Sequence, residues 1–180
     1  MEYRKNDMVT LEIVDCGTDG EGIGKADGFT VFVKDAVIGD TVTAKIMKAK
    51  KNYGYGRLME ILKPSPYRVD PICPSARQCG GCQLQAVSYE EQKAFKEKKL
   101  RGHLERIGGF KELPMEPLIG MDEPYHYRNK AQFPVGRNKE GRIVTGFYAG
   151  RTHAIIENRD CALGIPQNKE VLDRVIAHME

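Results

Sequence analysis

Apolar and polar positions alternate through the first third of the chain. Met8-Val-Thr-Leu-Glu-Ile-Val14 keeps the two-residue period of a half-buried strand. Asp19-Gly20-Glu21-Gly22 and Asp27-Gly28 are turn signals. Residues 24–26 and 30–34 read as short strands, 36–40 as a turn, and 41–48 and 56–62 as two further strands. Five short strands in so few residues predict a small β-barrel of the oligonucleotide-binding (OB) kind. The period then changes. Lys63-Pro-Ser-Pro66 and Asp70-Pro71 stiffen a linker and exclude helix or central strand. Ser88-Tyr-Glu-Glu91 is a capping box that opens a helix running to about Ile107. Phe95, Leu100, Leu104 and Ile107 approximate its apolar face, Glu97 pairs with Arg101, and Gly108-Gly109 ends it. Strand patterning returns over 129–137 and 142–148, around a turn at 138–141, with a third strand at 153–157. Pro166 opens a last amphipathic helix with Val171, Leu172, Val175, Ile176 and Met179 on one stripe. The fold class is mainly β with α: an OB-like barrel over 1–62, a linker and cysteine loop over 63–87, and an incomplete α+β central domain over 88–180.

Composition changes this picture little. The chain has 180 residues, 29% charged and 41% hydrophobic, as in a globular protein. No apolar run reaches the length of a membrane span, and the first residues lack the apolar core of a signal peptide. The expected location is the cytoplasm, where cysteines bind metals or catalyse more often than they form disulfides. The net charge of +3 is uninformative, but its distribution is not. Residues 1–40 hold four Lys/Arg and nine Asp/Glu, whereas 41–60 hold five Lys/Arg and one Glu. Lys45, Lys48, Lys50, Lys51, Tyr53, Tyr55 and Arg57 interleave cations with aromatics there. That mixture suits RNA, with cations on phosphates and tyrosines stacked on unpaired bases. The competing reading is a solvated loop with the tyrosines packing the barrel. Arg128 and Lys130 either reach phosphates or face solvent from a strand.

The chemistry concentrates at Cys73-Pro-Ser-Ala-Arg-Gln-Cys79-Gly-Gly-Cys82-Gln-Leu-Gln85, with Cys161 far downstream. Three clustered thiols and one distant thiol meet the needs of a four-thiolate site. Structural zinc sites use two short paired spacings. The three-plus-one pattern here suits an Fe4S4 cluster better, while zinc and unliganded or disulfide-bonded thiols stay open. Cys16 reads as a small buried hydrophobe. Arg151 and Arg159 flank the approach to Cys161 and either offset cluster charge or are plain surface. His103, His126, His153 and His178 show no ligand spacing.

Together, Cys73-Pro, Cys79-Gly-Gly-Cys82-Gln-Leu-Gln85, Tyr127-Arg-Asn-Lys130, Gly146-Phe-Tyr148 and Cys161 resemble the RNA uracil-5-methyltransferases. The closest branch carries an Fe4S4 cluster and acts on 23S ribosomal RNA, and residues 1–62 are similar to its TRAM domain. The tRNA branch generally lacks both features. The resemblance implies cluster ligation by Cys73, Cys79, Cys82 and Cys161, and contact with single-stranded or loop ribosomal RNA. It also implies that S-adenosylmethionine, the nucleophilic cysteine and the general-base Glu belong to a catalytic domain this chain does not contain. No Gly-rich cofactor motif is present, so the chain is expected to bind RNA without methylating it. Self-association through an uncovered central-domain edge is a further expectation. A stand-alone RNA-binding module with structural zinc is the alternative.

Overall fold

The computed structural model describes residues 3–150 and 152–180. The chain divides into two compact units, one comprising the residues up to Asp70 with Ala86–Leu118, the other Pro71–Gln85 with Ile119–Glu180.

The first unit is built on a closed five-stranded barrel. Its strands are β1 (Met8–Cys16), β2 (Gly22–Ala26), β3 (Phe29–Lys34), β4 (Thr41–Ala49) and β5 (Tyr53–Lys63). They are ordered β1-β2-β3-β5-β4, and β4 pairs back onto β1. Every pairing is antiparallel except β3 with β5, which is parallel. The two-residue period decides what goes inside. Val9, Leu11 and Ile13 of β1, Val31 and Val33 of β3, and Val42, Ala44 and Ile46 of β4 form the core. β5 starts earlier than its sequence suggests, because Tyr53-Gly-Tyr-Gly56 is strand. The tyrosines face out and the glycines face in. A side chain at Gly56 would crowd Val31 and Ala44 at 3.1 and 3.2 Å, so glycine fits where the barrel is already full.

A buried ion pair braces the barrel's lower turn. Asp40 is fully buried and accepts hydrogen bonds from Val37 N (2.7 Å), Ser65 N (2.8 Å), Arg68 Nε (3.1 Å) and Arg68 Nη2 (2.5 Å). Arg68 Nη2 also donates to the Asp35 carbonyl at 2.9 Å. Beside it, Val69 N donates to Ala86 O and Ser88 N to Tyr67 O, around an Arg68–Val87 bridge. The chain thus leaves and re-enters this unit through one short ladder, and the excursion between is the cysteine loop.

Helix α1 (Tyr89–Arg106) follows. Ser88 Oγ caps it by accepting the Glu91 N–H at 3.4 Å. The Ser88 N–H is committed to Tyr67, so Tyr67 holds the donor that a capping box would give to Glu91. No residue of α1 is buried. A step of five residues turns a helix by about 500°, which places Phe95 and Leu100 on different faces. Glu97 accepts the Leu118 N–H, and Arg101 faces Glu105 rather than Glu97.

In the second unit, β6 (Val135–Arg137), β7 (Ile143–Tyr148) and β8 (Ile155–Glu157) form an antiparallel sheet with β7 central. Ile143, Val144 and Thr145 are buried, and α2 (Gln167–Met179) packs on β7 with Leu172 and Ile176 buried. Val171, Val175 and Met179 stay exposed. The strand expected from 129 begins only at Val135. Pro134 has no N–H to give a ladder, and its carbonyl accepts from Thr145 Oγ1 at 3.0 Å. No helix among the described residues is long and apolar enough to cross a membrane.

Candidate nucleic-acid interface and cysteine site

The parallel β3–β5 pairing assembles an outward face that the linear sequence disguises. Lys34 lies in register with Arg57, and Arg57 with Lys45 of β4. One rung along, Phe32 registers with Tyr55, and Tyr55 with Lys48. A register shift between Ile46 and Lys48 sets Lys48 rather than Met47 beside Tyr55. A third rung pairs Thr30 with Tyr53, and Lys50 N donates to Tyr53 O at 2.8 Å to close the turn that carries Lys50 and Lys51.

The rings of Phe32, Tyr53 and Tyr55 form one cluster, with centroids 5.6–5.9 Å apart. Tyr53, Tyr55, Lys48, Lys50, Lys51 and Arg57 are exposed, and Lys45 is half-buried. The barrel therefore brings together all seven expected residues of this region and adds Phe32 and Lys34. The missed signal lies in the alternation of β3. Val31 and Val33 are buried, so the aromatic between them points outward. Aromatic faces ringed by cations are the chemistry of a single-stranded nucleic-acid platform.

Arg128 and Lys130 belong to the other unit and are both exposed. Neither lies in a regular strand. Arg128 forms an isolated parallel bridge with Gly164, donating its N–H to Leu163 O at 2.8 Å.

The cysteine loop is docked on the end of β7. Gly80 N donates to Tyr148 O at 2.9 Å, and Cys79 bridges Ala149. A Cβ at Gly80 would meet Tyr148 O at 3.0 Å and Gly150 Cα at 3.2 Å, so the close approach requires glycine there. Cys73 and Cys79 are buried, Cys82 and Cys161 half-buried, and all are free thiols. Burial pushes the Cys82 thiol up; the Gln85 carboxamide opposes this, and the nearby Cys161, Cys79 and Cys73 add to the rise. The other three expected ligands thus lie within electrostatic reach of Cys82.

Two of the sulfurs also face amide donors. Gly81 N donates to Cys79 Sγ at 3.3 Å and Asn158 Nδ2 to Cys73 Sγ at 3.5 Å. This donor set fits a thiolate-bound group, since N–H donors favour charged sulfur. Among the described residues, no three Cys, His, Asp or Glu side chains converge tightly enough to enclose one metal ion. Cys16 stands apart in the barrel unit, half-buried, its thiol pushed up to about 11 by burial with help from Asp15 and Glu21. Arg159 is engaged with Glu157 at 3.1 Å and Asp173 at 3.4 Å. Arg151 lies outside the described residues.

Known proteins share this architecture. Residues 5–59 match the family model of the TRAM domain. Beyond that segment, the chain is similar to proteins named RNA methyltransferases. It is 44% identical over 171 residues to an uncharacterized RNA methyltransferase of Halalkalibacterium halodurans, covering 95% of this chain and 37% of that protein. Likewise it is 44% identical over 173 residues to one from Clostridium tetani, covering 96% of this chain and 36% of that protein. The chain thus spans little more than a third of the length of these relatives. Its fold is like that of Pyrococcus abyssi tRNA (uracil-54, C5)-methyltransferase, solved with S-adenosyl-L-homocysteine. The TM-score is 0.57 at 24% identity, over 92% of this chain and 35% of that one.

Proposed function

We propose that this chain is the RNA-recognition and Fe4S4-bearing portion of an S-adenosylmethionine-dependent, cytoplasmic uracil-5-methyltransferase acting on 23S ribosomal RNA. One observation carries the RNA reading. Three consecutive rungs of the TRAM barrel present Phe32, Tyr53 and Tyr55 flanked by Lys34, Arg57, Lys45 and Lys48. Unpaired bases stack on the rings, while the cations follow the phosphates. Arg128 and Lys130 supply further phosphate contacts. Methyl transfer, its cofactor and its nucleophile belong to residues beyond these 180, so this chain binds RNA without turnover.

Cys73, Cys79, Cys82 and Cys161 would hold the cluster, which would tie the 73–82 loop to the segment of Cys161. Support comes from three free thiols within electrostatic reach of Cys82 and from the amide donors aimed at Cys73 and Cys79. Iron with acid-labile sulfide in anaerobically purified protein is the expected result. Zinc without sulfide points instead to the stand-alone zinc module.

Charge reversal of Lys48, Lys50 and Lys51 tests the RNA face. Each lost phosphate contact on a single strand flattens the salt dependence of log K by about 0.7, so three flatten it by about 2. An unchanged affinity and slope places the interface elsewhere. The substrate class is tested in the same assay. The Pyrococcus neighbour is described as a tRNA enzyme and its fold extends over 92% of this chain, so this architecture alone does not separate tRNA from ribosomal RNA. Preference for 23S fragments over tRNA is expected, and the reverse preference overturns the ribosomal assignment.

A further inference from the structure

The donors that face the cysteine sulfurs come from two unrelated places in the chain. One is the backbone of the Gly80-Gly81 turn, the other the side chain of Asn158, 85 residues from the cysteine it reaches. The carboxamide has a fixed orientation. Asn158 Oδ1 accepts the Asp160 N–H at 3.1 Å, which leaves Nδ2 as the end that faces Cys73. Its own N–H donates to the Thr145 carbonyl at 3.1 Å, so the residue is anchored to the buried middle of β7. Gln85 Oε1 accepts the Cys73 N–H at 3.3 Å and helps to hold that cysteine in place. Asn158 therefore touches Cys73 and shapes the turn that leads into Cys161.

We propose that Asn158 is a positioning residue that, with the Gly81 N–H, raises the reduction potential of the group bound by the four thiols. This rests on the cluster reading above. An N–H···S bond strengthens as the sulfur gains negative charge. Adding one electron to a thiolate-bound cluster increases that charge, so each donor stabilises the reduced form more than the oxidised form. A residue that only shaped the loop would alter how much cluster is held, without altering the potential of the cluster that remains.

The test is a redox titration of anaerobically purified protein, monitored by electron paramagnetic resonance, with iron and sulfide assayed on the same samples. Asn158→Leu removes the donor at similar volume, and Asn158→Ala removes it without added bulk. Each variant is expected to shift the oxidised-to-reduced ratio at fixed potential about tenfold toward oxidised, equal to about 59 mV for one electron. If wild-type protein contains no acid-labile sulfide, the cluster reading fails and this inference with it. If wild type holds the cluster and all variants titrate at its potential, the inference alone is overturned, whatever their iron content. Should the leucine variant lose its cluster entirely, the alanine variant decides.

Discussion

Arg68→Met strikes a charge pair whose carboxylate the barrel unit buries. Asp40 has no exposure, and two of its four donors come from the Arg68 guanidinium. The substitution leaves the carboxylate with Val37 N and Ser65 N alone. Breaking a buried pair from one side costs about 3–5 kcal/mol, a large share of the roughly 5–15 kcal/mol that stabilises a domain. The pH dependence is more diagnostic than the size. Burial works to raise the Asp40 pKa, but the hydrogen bonds from Arg68, Ser65 and Val37 outweigh it, and the carboxyl sits below its ordinary value. A depressed folded pKa gives stability that is present above the unfolded value of about 3.9 and lost as pH falls through the folded value. Without Arg68, burial is opposed only by the Ser65 and Val37 hydrogen bonds, so the folded pKa rises. The variant then loses less stability than wild type as pH falls through the unfolded value. Urea unfolding followed by circular dichroism at pH 7 and pH 3 reads both effects; the chain has no Trp, so Tyr emission is the optical alternative. A loss below about 1 kcal/mol at pH 7, or a variant that weakens on acidification as much as wild type does, refutes the brace.

The remaining predictions concern the two sites. Tyr55→Ala and Phe32→Ala each remove a stacking surface and weaken single-stranded RNA binding by about 1–3 kcal/mol, with the salt slope unchanged; fluorescence anisotropy at two salt concentrations separates this from a phosphate contact, and equal affinity for Phe32→Ala removes that residue from the platform. Gly80→Val forces a side chain against the Tyr148 carbonyl and costs about 1–3 kcal/mol of local packing. Hydrogen exchange is expected to show lost protection of the Gly80 amide, and full protection means the loop is not held by this contact.

The barrel was legible because a closed sheet imposes one rule on every strand. Val9, Leu11, Ile13, Val42, Ala44 and Ile46 point inward at the two-residue period, and a sequence shows that period directly. What stays hidden is pairing between strands that are not neighbours in sequence. Nothing local marks β3 as the parallel partner of β5, so Phe32 and Lys34 could not be joined to Tyr53, Tyr55 and Arg57. Tyr53-Gly-Tyr-Gly56 was obscured for a related reason. Its glycines look like turn residues until the barrel interior leaves no room for a side chain. At the cysteines, spacing displayed the candidate ligands, but the donors to their sulfurs carry no periodic mark. Asn158 had no signal at all. The apolar face of α1 failed because its five-residue step broke the helical period.

The two sites obey one physical logic, which the barrel makes plain. An RNA platform needs aromatic faces and cations in fixed register. A bulged register at β4 and a parallel pairing at β3–β5 supply this, because both fix which side chains stand side by side. Fixed register in turn needs a barrel that does not breathe at its seams. Asp40 ties the β3–β4 turn to Ser65 and Arg68, just past the end of β5. The strands it joins, β3, β4 and β5, are the three that carry the platform. Arg68→Met should therefore weaken RNA binding although it removes no platform residue, and it should do so most near the denaturation midpoint, where register loosens. If RNA affinity per folded molecule is unchanged at every temperature below that midpoint, the platform owes nothing to the brace.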